Sequence, residues 1–348
     1  MKRVLVTGAG GYIGTTLVPA LLERGYAVRA VDRYFFGDDV LPANNGQLEV
    51  VKDDARKLTA GHFNEVDYVI DLAAVSNDPS GELFQHATWQ INHEARARAA
   101  RLAKKAGVDR YIFPSSCSIY GFQDQGVVCK EGDPINPLTT YARANRKAEE
   151  DILPLADDDF TVVVVRQSTV YGLSPRMRFD LAINGMTFGA WKNNRLPLLR
   201  DGTQWRPMVH VKDTVAAQIF MLEYGDPAKI NGEIFNVGSA DNNYQLQPLA
   251  HTVAGTINEV TGREIDVEWY GEPDHRSYQV DFQKIESLGW KAQRTARDAV
   301  LETCKHLEAG ELDRTDRTIT LQWYKTLDEW YHRIKDLEMY HGMLDIDA

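Results

Sequence analysis

Cysteine is scarce in this chain. Cys117, Cys129 and Cys304 are its only three, an odd number that cannot all pair. They show no metal-ligand spacing either, which predicts a reducing compartment and no metal centre. No apolar stretch is long enough to span a bilayer. Basic residues are outnumbered, 39 Lys and Arg against 50 Asp and Glu, for a net charge of −11 and a pI near 5.3. That balance argues against nucleic acid or an anionic membrane as the main partner, so an anionic small ligand would need local arginines. Internal repeats and low-complexity segments are also missing. The first core strand begins at residue 3, which leaves no room for a signal peptide and, with the cysteines, predicts a cytoplasmic protein. What remains is an ordinary globular composition, 43% hydrophobic and 26% charged, in a chain of 348 residues that can build a large core.

The most informative segment is Arg3 to Gly14, an apolar strand running into a glycine-rich turn and then a helix. Gly8, Gly11 and Gly14 are evenly spaced. The first permits a sharp turn, the second lets backbone approach a pyrophosphate, and the third lets helix and strand pack closely. Tyr12 and Ile13 lie in the same turn, where helix N–H groups face an anion. Such a triplet alone is often only a tight turn; between Val4-Leu5-Val6 and the amphipathic run Thr15 to Arg24 it predicts dinucleotide binding. Asp32 closes a second strand roughly 20 residues further on, where a carboxylate can hold both adenosine ribose hydroxyls. Its charge repels a 2′-phosphate, which favours NAD over NADP. Arg33 is a counterweight to that charge or a surface arginine.

Short Val/Ile-rich runs alternate with helical patterns through the first half. Strands are expected at 3–7, 27–31, 48–51, 67–71, 110–114 and 160–166, and helices at 12–24, 86–106 and 139–155. Later, 195–201 reads as loop or short strand, 210–224 and 245–260 as helices, and 234–237 and 265–269 as strands. The tail over 319–339 carries aromatics and leucines at helical spacing, most simply a packing face. The fold class expected is α/β, a Rossmann-type doubly wound parallel sheet with a smaller α/β C-terminal substrate domain. Residues 1–170, with 208–237 returning, would form the first domain, and 171–207 with 238–348 the second.

The order of several further motifs is informative. Asp54-Ala55 follows the third strand, Leu72-Ala73-Ala74 the fourth, and Asn92 lies in the next helix. Ser115-Ser116-Cys117-Ser118-Ile119-Tyr120-Gly121 follows the fifth strand, and Tyr141 opens a helix after Pro137-Leu138-Thr139-Thr140. Over nearly its whole length the chain resembles an extended short-chain dehydrogenase/reductase of the nucleotide-sugar epimerase/dehydratase type. The resemblance implies NAD held by Gly8, Gly11, Tyr12, Ile13, Gly14, Asp32, Asp54, Ala55, Leu72, Ala73, Ala74, Asn92, Tyr141 and Asn145. It makes Tyr141 the acid/base toward a sugar hydroxyl, with Ser116 bonded to the same oxygen. It also implies a homodimer joined through 86–106 and 139–155 as a four-helix bundle.

One position departs from that pattern. The family places a lysine four residues after the tyrosine, one turn along the same helix face; this chain has Asn145. An asparagine can bond a ribose hydroxyl but brings no charge to a phenol whose ordinary pKa is about 10. Lys147, Arg143 and Arg146 point to other faces. Three accounts stay open: an active enzyme relying on the nicotinamide charge, which this reading favours, an altered protein, or a cation from elsewhere.

The resemblance also narrows the reaction. Relatives that remove water across C5 and C6 carry an Asp-Glu pair after the residue matching Ser116, whereas this chain has Cys117 and Ser118, so 4,6-dehydration is not expected. Arg206, before His210-Val211-Lys212-Asp213, and Arg276, in Pro273-Asp274-His275-Arg276, match two arginines that reach the substrate diphosphate. Asn184 falls where relatives contact the ligand phosphates, the run Ser174-Pro175-Arg176-Met177-Arg178 is expected to line the same cleft near the nucleobase with Arg178 toward the substrate, and Thr169 replaces a common asparagine. The run around Ser174-Pro175-Arg176-Met177-Arg178 resembles a branch that includes nucleotide-linked heptose dehydrogenases. The expected function is NAD-dependent oxidation of a nucleotide-sugar carbinol at C4, as an epimerase. The alternatives are a 4-dehydrogenase/reductase and a catalytically silent NAD-binding sensor.

Overall fold

The computed structural model describes residues 1–339 except 38, 44, 45, 125 and 273–275. Of Pro273-Asp274-His275-Arg276, only Arg276 therefore lies among the described residues, and 340–348 of the expected second domain lie outside them.

Seven strands form one parallel sheet: β1 (Arg3–Thr7), β2 (Ala27–Asp32), β3 (Leu48–Lys52), β4 (Tyr68–Asp71), β5 (Arg110–Ser116), β6 (Thr161–Gln167) and β7 (Glu233–Val237). Their order is β7-β6-β5-β4-β1-β2-β3. The central strands are covered on both faces, and Val4, Leu5 and Val6 of β1 and Val162 to Val165 of β6 are fully buried. Such near-continuous apolar runs are what a sheet sandwiched between helices demands. The last strand comes from far along the chain: Glu233 to Val237 pair with Val163 to Gln167 and complete the edge beside β6. Strand order reverses between β1 and β4, both of which run toward the same crevice. A crevice at that reversal is where doubly wound sheets bind ligands.

The glycines earn their positions sterically. Gly8 has φ +66°, and a Cβ there would lie 2.7 Å from the backbone carbon of Leu72. A Cβ on Gly14 would meet the carbonyl oxygens of Gly8 and Ala9 at 2.4 and 2.6 Å. Helix Gly14–Glu23 can thus start hard against β1 and bury Leu17, Val18 and Leu21.

The expected helix over 86–106 is continuous but not uniform. Gln85–Trp89 and Arg96–Lys105 are α-helical, while Gln90–Ala95 between them winds as a π-helix. Such stretches concentrate near functional sites, and this one carries Asn92. The helix Thr140–Ile152 is capped by Thr139, whose side chain accepts from the Ala142 N–H.

The second lobe packs helices Ala182–Asn193, Leu246–Thr261 and Ala296–Glu308 around the parallel strand pair Arg195–Leu199 and Asp266–Tyr270. Residues 195–199 are therefore strand, continuing through Ile183, Leu196, Leu198, Val253 and Val300 into one apolar core. Helix Ala182–Asn193 escapes sequence patterning because Gly185 and Gly189 interrupt a run with little polar contrast. Helix Ala296–Glu308 did carry a signal, the Thr295/Asp298 capping box.

Helix Thr320–Met339 returns across the molecule to the first lobe. Trp323 donates its indole N–H to the Phe35 carbonyl, and the Tyr324 ring meets Phe36 and Phe84. No helix among the described residues is long and apolar enough to cross a membrane.

Candidate active site

A cavity of about 910 Å³ opens at the carboxyl ends of the strands, along the crevice where strand order reverses. Gly8, Gly11, Tyr12, Ile13 and Gly14 line it from the turn after β1, and Leu72, Ala73 and Ala74 from the turn after β4. The two turns are tied together, since the Thr7 hydroxyl accepts from Ala73 N–H at 3.0 Å. Backbone thus comes within reach of a ligand, which no side chain at Gly8 or Gly14 would allow.

Asp32 lines the same cavity at the end of β2. Its carboxylate accepts from Tyr34 N–H at 2.7 Å and Gly10 N–H at 3.1 Å. Burial pushes this carboxyl up, against the pull of those backbone donors. Asp54 and Ala55 line the wall nearby. The Arg56 guanidinium, reinforced by Arg33, holds the Asp54 carboxyl far below the usual carboxylate range. Arg33 is thereby engaged, 2.9 Å from Asp54 and stacked over Phe35. A volume of this size, apolar walls, a glycine cradle and a carboxylate at the strand end together fit a dinucleotide.

Tyr141 and Ser116 both line the cavity, close enough for the Ser116 hydroxyl to act on the Tyr141 phenol. Ser116 ends β5 and also accepts from Ser118 N–H at 3.1 Å. Burial raises the Tyr141 phenol; the Ser116 bond lowers it, Asp78 raises it, and Arg96 and Arg178 lower it. Cys117, next to Ser116, is fully buried with its thiol donating to the Arg166 carbonyl, and burial pushes that thiol up. It packs and does not face the cavity.

Arg178, Arg206 and Arg276 also line the cavity. Arg178 forms a two-pronged pair with Asp180 at 2.7 and 3.1 Å and reaches Ser76 at 3.2 Å. Arg206 donates to the Trp205 and Arg276 carbonyls, and Arg276 pairs with Asp78. Thr169 lines the wall as well.

Three of the expected site residues stand behind the cavity. Asn92 is fully buried and holds Val75 by both backbone groups, at 2.8 and 3.0 Å, which fixes the turn after β4. Asn184 is equally buried; it accepts from Gly172 N–H and donates to the Tyr12 hydroxyl and the Arg178 carbonyl. Asn145 is bonded to the Tyr141 carbonyl and to Arg96. His210 caps helix Val211–Glu223 through its Nδ1, as a structural hydrogen-bonder.

Sequence patterning missed Asp78 and Arg96, whereas Arg176, in the run expected to line the cleft, does line the cavity. Asp78 accepts from the Thr139 hydroxyl at 2.6 Å as well as from Arg276. Arg176 is 5% exposed, lies over Phe36, donates to the Thr320 hydroxyl and has no carboxylate partner among the described residues. The one signal for Arg96 is its place one helical turn after Asn92, on the same face.

A family model described as NAD dependent epimerase/dehydratase matches residues 4–238, more than half of the chain. The chain belongs to this family. This family member is 26% identical over 307 residues to a putative UDP-glucose 4-epimerase of Methanocaldococcus jannaschii, covering 85% of this chain and 95% of that one. It is 25% identical to the dTDP-D-glucose 4,6-dehydratase of Mus musculus, over 97% and 93% of the two chains. Among solved structures, MoeE5 in complex with UDP-glucuronic acid and NAD is 28% identical with a TM-score of 0.77, covering 88% of this chain and 99% of that one. The resemblance drawn from the motifs therefore holds: this is an NAD-dependent enzyme of the nucleotide-sugar epimerase/dehydratase kind.

Proposed function

We propose that the chain is a nucleotide-sugar 4-epimerase, with Tyr141 as its acid/base. The observation that carries this reading is that Tyr141 and Ser116 line one cavity together with the glycine turn and the arginines Arg206 and Arg276. NAD, when bound, supplies the hydride acceptor and donor. The phenolate oxygen of Tyr141 takes the proton of the sugar 4-hydroxyl as the C4 hydride leaves, and Ser116 donates a hydrogen bond to that hydroxyl oxygen. With the cofactor supplying the hydride to the other face of the keto sugar, Tyr141 would return the proton to the C4 oxygen. Arg206 and Arg276 hold the diphosphate, whose paired oxygens suit a planar guanidinium; binding releases Arg276 from Asp78. Arg178 supports that end while bonded to Asp180. Cys117 is buried and Ser118 is no strong acid, which disfavours removal of water across C5 and C6 even though dehydratases are among the relatives. The relatives named as 4-epimerases support the choice. We further propose a homodimer formed through 86–106 and 139–155, two neighbouring segments joined by His93 and Asp151; scattering mass measures it.

The test mixes purified protein with UDP-, GDP-, CDP- and dTDP-sugars and follows products by chromatography, mass and NADH absorbance. A mass-neutral isomer without net NADH is expected. Loss of two hydrogens from one sugar with matching NADH growth would overturn the epimerase in favour of a dehydrogenase. Bound NAD with no product from any sugar would favour the sensor.

A further inference from the structure

Asn145 stands where a lysine would bring positive charge to Tyr141, yet its side chain is turned inward and is 1% exposed. Its amide donates to the Tyr141 carbonyl at 3.0 Å, and its Oδ1 accepts from Nη1 of Arg96 at 3.1 Å. Arg96 is itself 2% exposed. Its Nη2 donates to the carbonyls of Asp71 and Pro114, both at 2.6 Å, which locks the guanidinium between the carboxyl ends of β4 and β5. Its planar face lies 4.1 Å from the centre of the Phe113 ring.

We propose that Arg96, linked through Asn145, supplies the positive charge that the absent lysine would bring to Tyr141, and is a positioning residue for its proton transfer. This rests on reading Tyr141 as the acid/base. A lysine at 145 would set a second cation against Arg96 in a buried space. The buried carboxylate of Asp71 is the ion-pair partner of Arg96 and offsets part of its charge. Asp71 lies 3.5 Å from Nε of Arg96, but it also accepts from the Tyr111 and Thr7 hydroxyls, and that Nε makes no hydrogen bond. On Tyr141, Ser116 and Arg178 act with Arg96, and Asp78 acts against them.

The test is a spectroscopic titration of Tyr141 in the NAD-loaded full chain, read as phenolate absorbance minus that of Tyr141→Phe. Arg96→Gln keeps N–H donors and removes the charge. It should raise the Tyr141 midpoint by about one pH unit, and the acidic limb of turnover with it. Arg96→Gln combined with Asn145→Lys should return the midpoint to that of the unaltered chain. An unchanged midpoint in folded Arg96→Gln overturns the proposal. So does a double variant whose midpoint falls well below the unaltered chain, because Arg96 would then have contributed nothing. The titration needs no substrate: a shift without turnover upholds Arg96 and defeats the epimerase, while turnover without a shift defeats Arg96 alone.

Discussion

The indole nitrogen of Trp323 lies 2.6 Å from the carbonyl oxygen of Phe35, which fastens the C-terminal helix to the turn after β2. Tyr324, Leu327 and Tyr331 of that helix line the cavity beside Asp32 and Phe36, and Thr320 at its start accepts from Arg176. Chain ended after Ile319 should keep its sheet but bind NAD roughly tenfold more weakly, about 1.4 kcal/mol. Calorimetric titration with NAD, beside a circular dichroism spectrum, measures both.

Tyr141→Phe removes the proton acceptor and leaves the cavity's shape intact. Turnover should fall about 10²- to 10⁴-fold, the usual contribution of a positioned acid/base. Bound NAD, counted after denaturation, should stay unchanged. Unaltered turnover would sink the role given to Tyr141.

Asp32→Asn keeps the shape at the end of β2 and removes the charge. Its affinity for NAD should drop about tenfold, while NADP, no longer facing a carboxylate, should bind more tightly than to the unaltered chain. Competition between the two dinucleotides reads the change in preference directly.

Glu302 gives an acid-range prediction. Burial alone would raise its carboxyl, but the Lys212 ammonium bonded to it, with the His210 ring close by, outweighs burial and holds the pKa at about 2. In the unfolded chain the ordinary value is 4.5. The folded state therefore binds this proton less readily, so the stabilisation is complete above about pH 4.5 and is lost as pH falls through about 2. Glu302→Gln should be less stable at neutral pH, and its unfolding midpoint should change less across that window. Urea titrations at a series of pH values test this.

Much of this architecture was legible in the residues, and for identifiable reasons. Strands buried on both faces must be apolar throughout, so β1, β5 and β6 announce themselves, and a glycine turn between strand and helix has few other uses. The Tyr141–Ser116 pairing came from family likeness, since nothing in either residue's neighbours reveals that they meet. The three asparagines were harder. Asn92, Asn145 and Asn184 each bond to backbone behind the wall, and a sequence does not distinguish an asparagine that touches a ligand from one that holds the loop which does. Arg96 stayed hidden because it sits among Arg98 and Arg101 in a helix that reads as solvated, while a π-helical stretch just before it alters which residues face inward.

The sheet's far edge carries a consequence for how the protein is made. Thr161 to Gln167, with four successive valines, is buried along its whole length only once Glu233 to Val237 has paired beside it. A nascent chain must synthesise some seventy further residues, roughly 4 to 14 s at ordinary elongation rates, before that partner exists. During that interval β6 is an open edge whose four valines carry no charge, the kind of surface that recruits strands from neighbouring chains. Ribosome-bound fragments stopped near residue 200 should therefore be sticky and chaperone-dependent, and those carried past residue 237 should not.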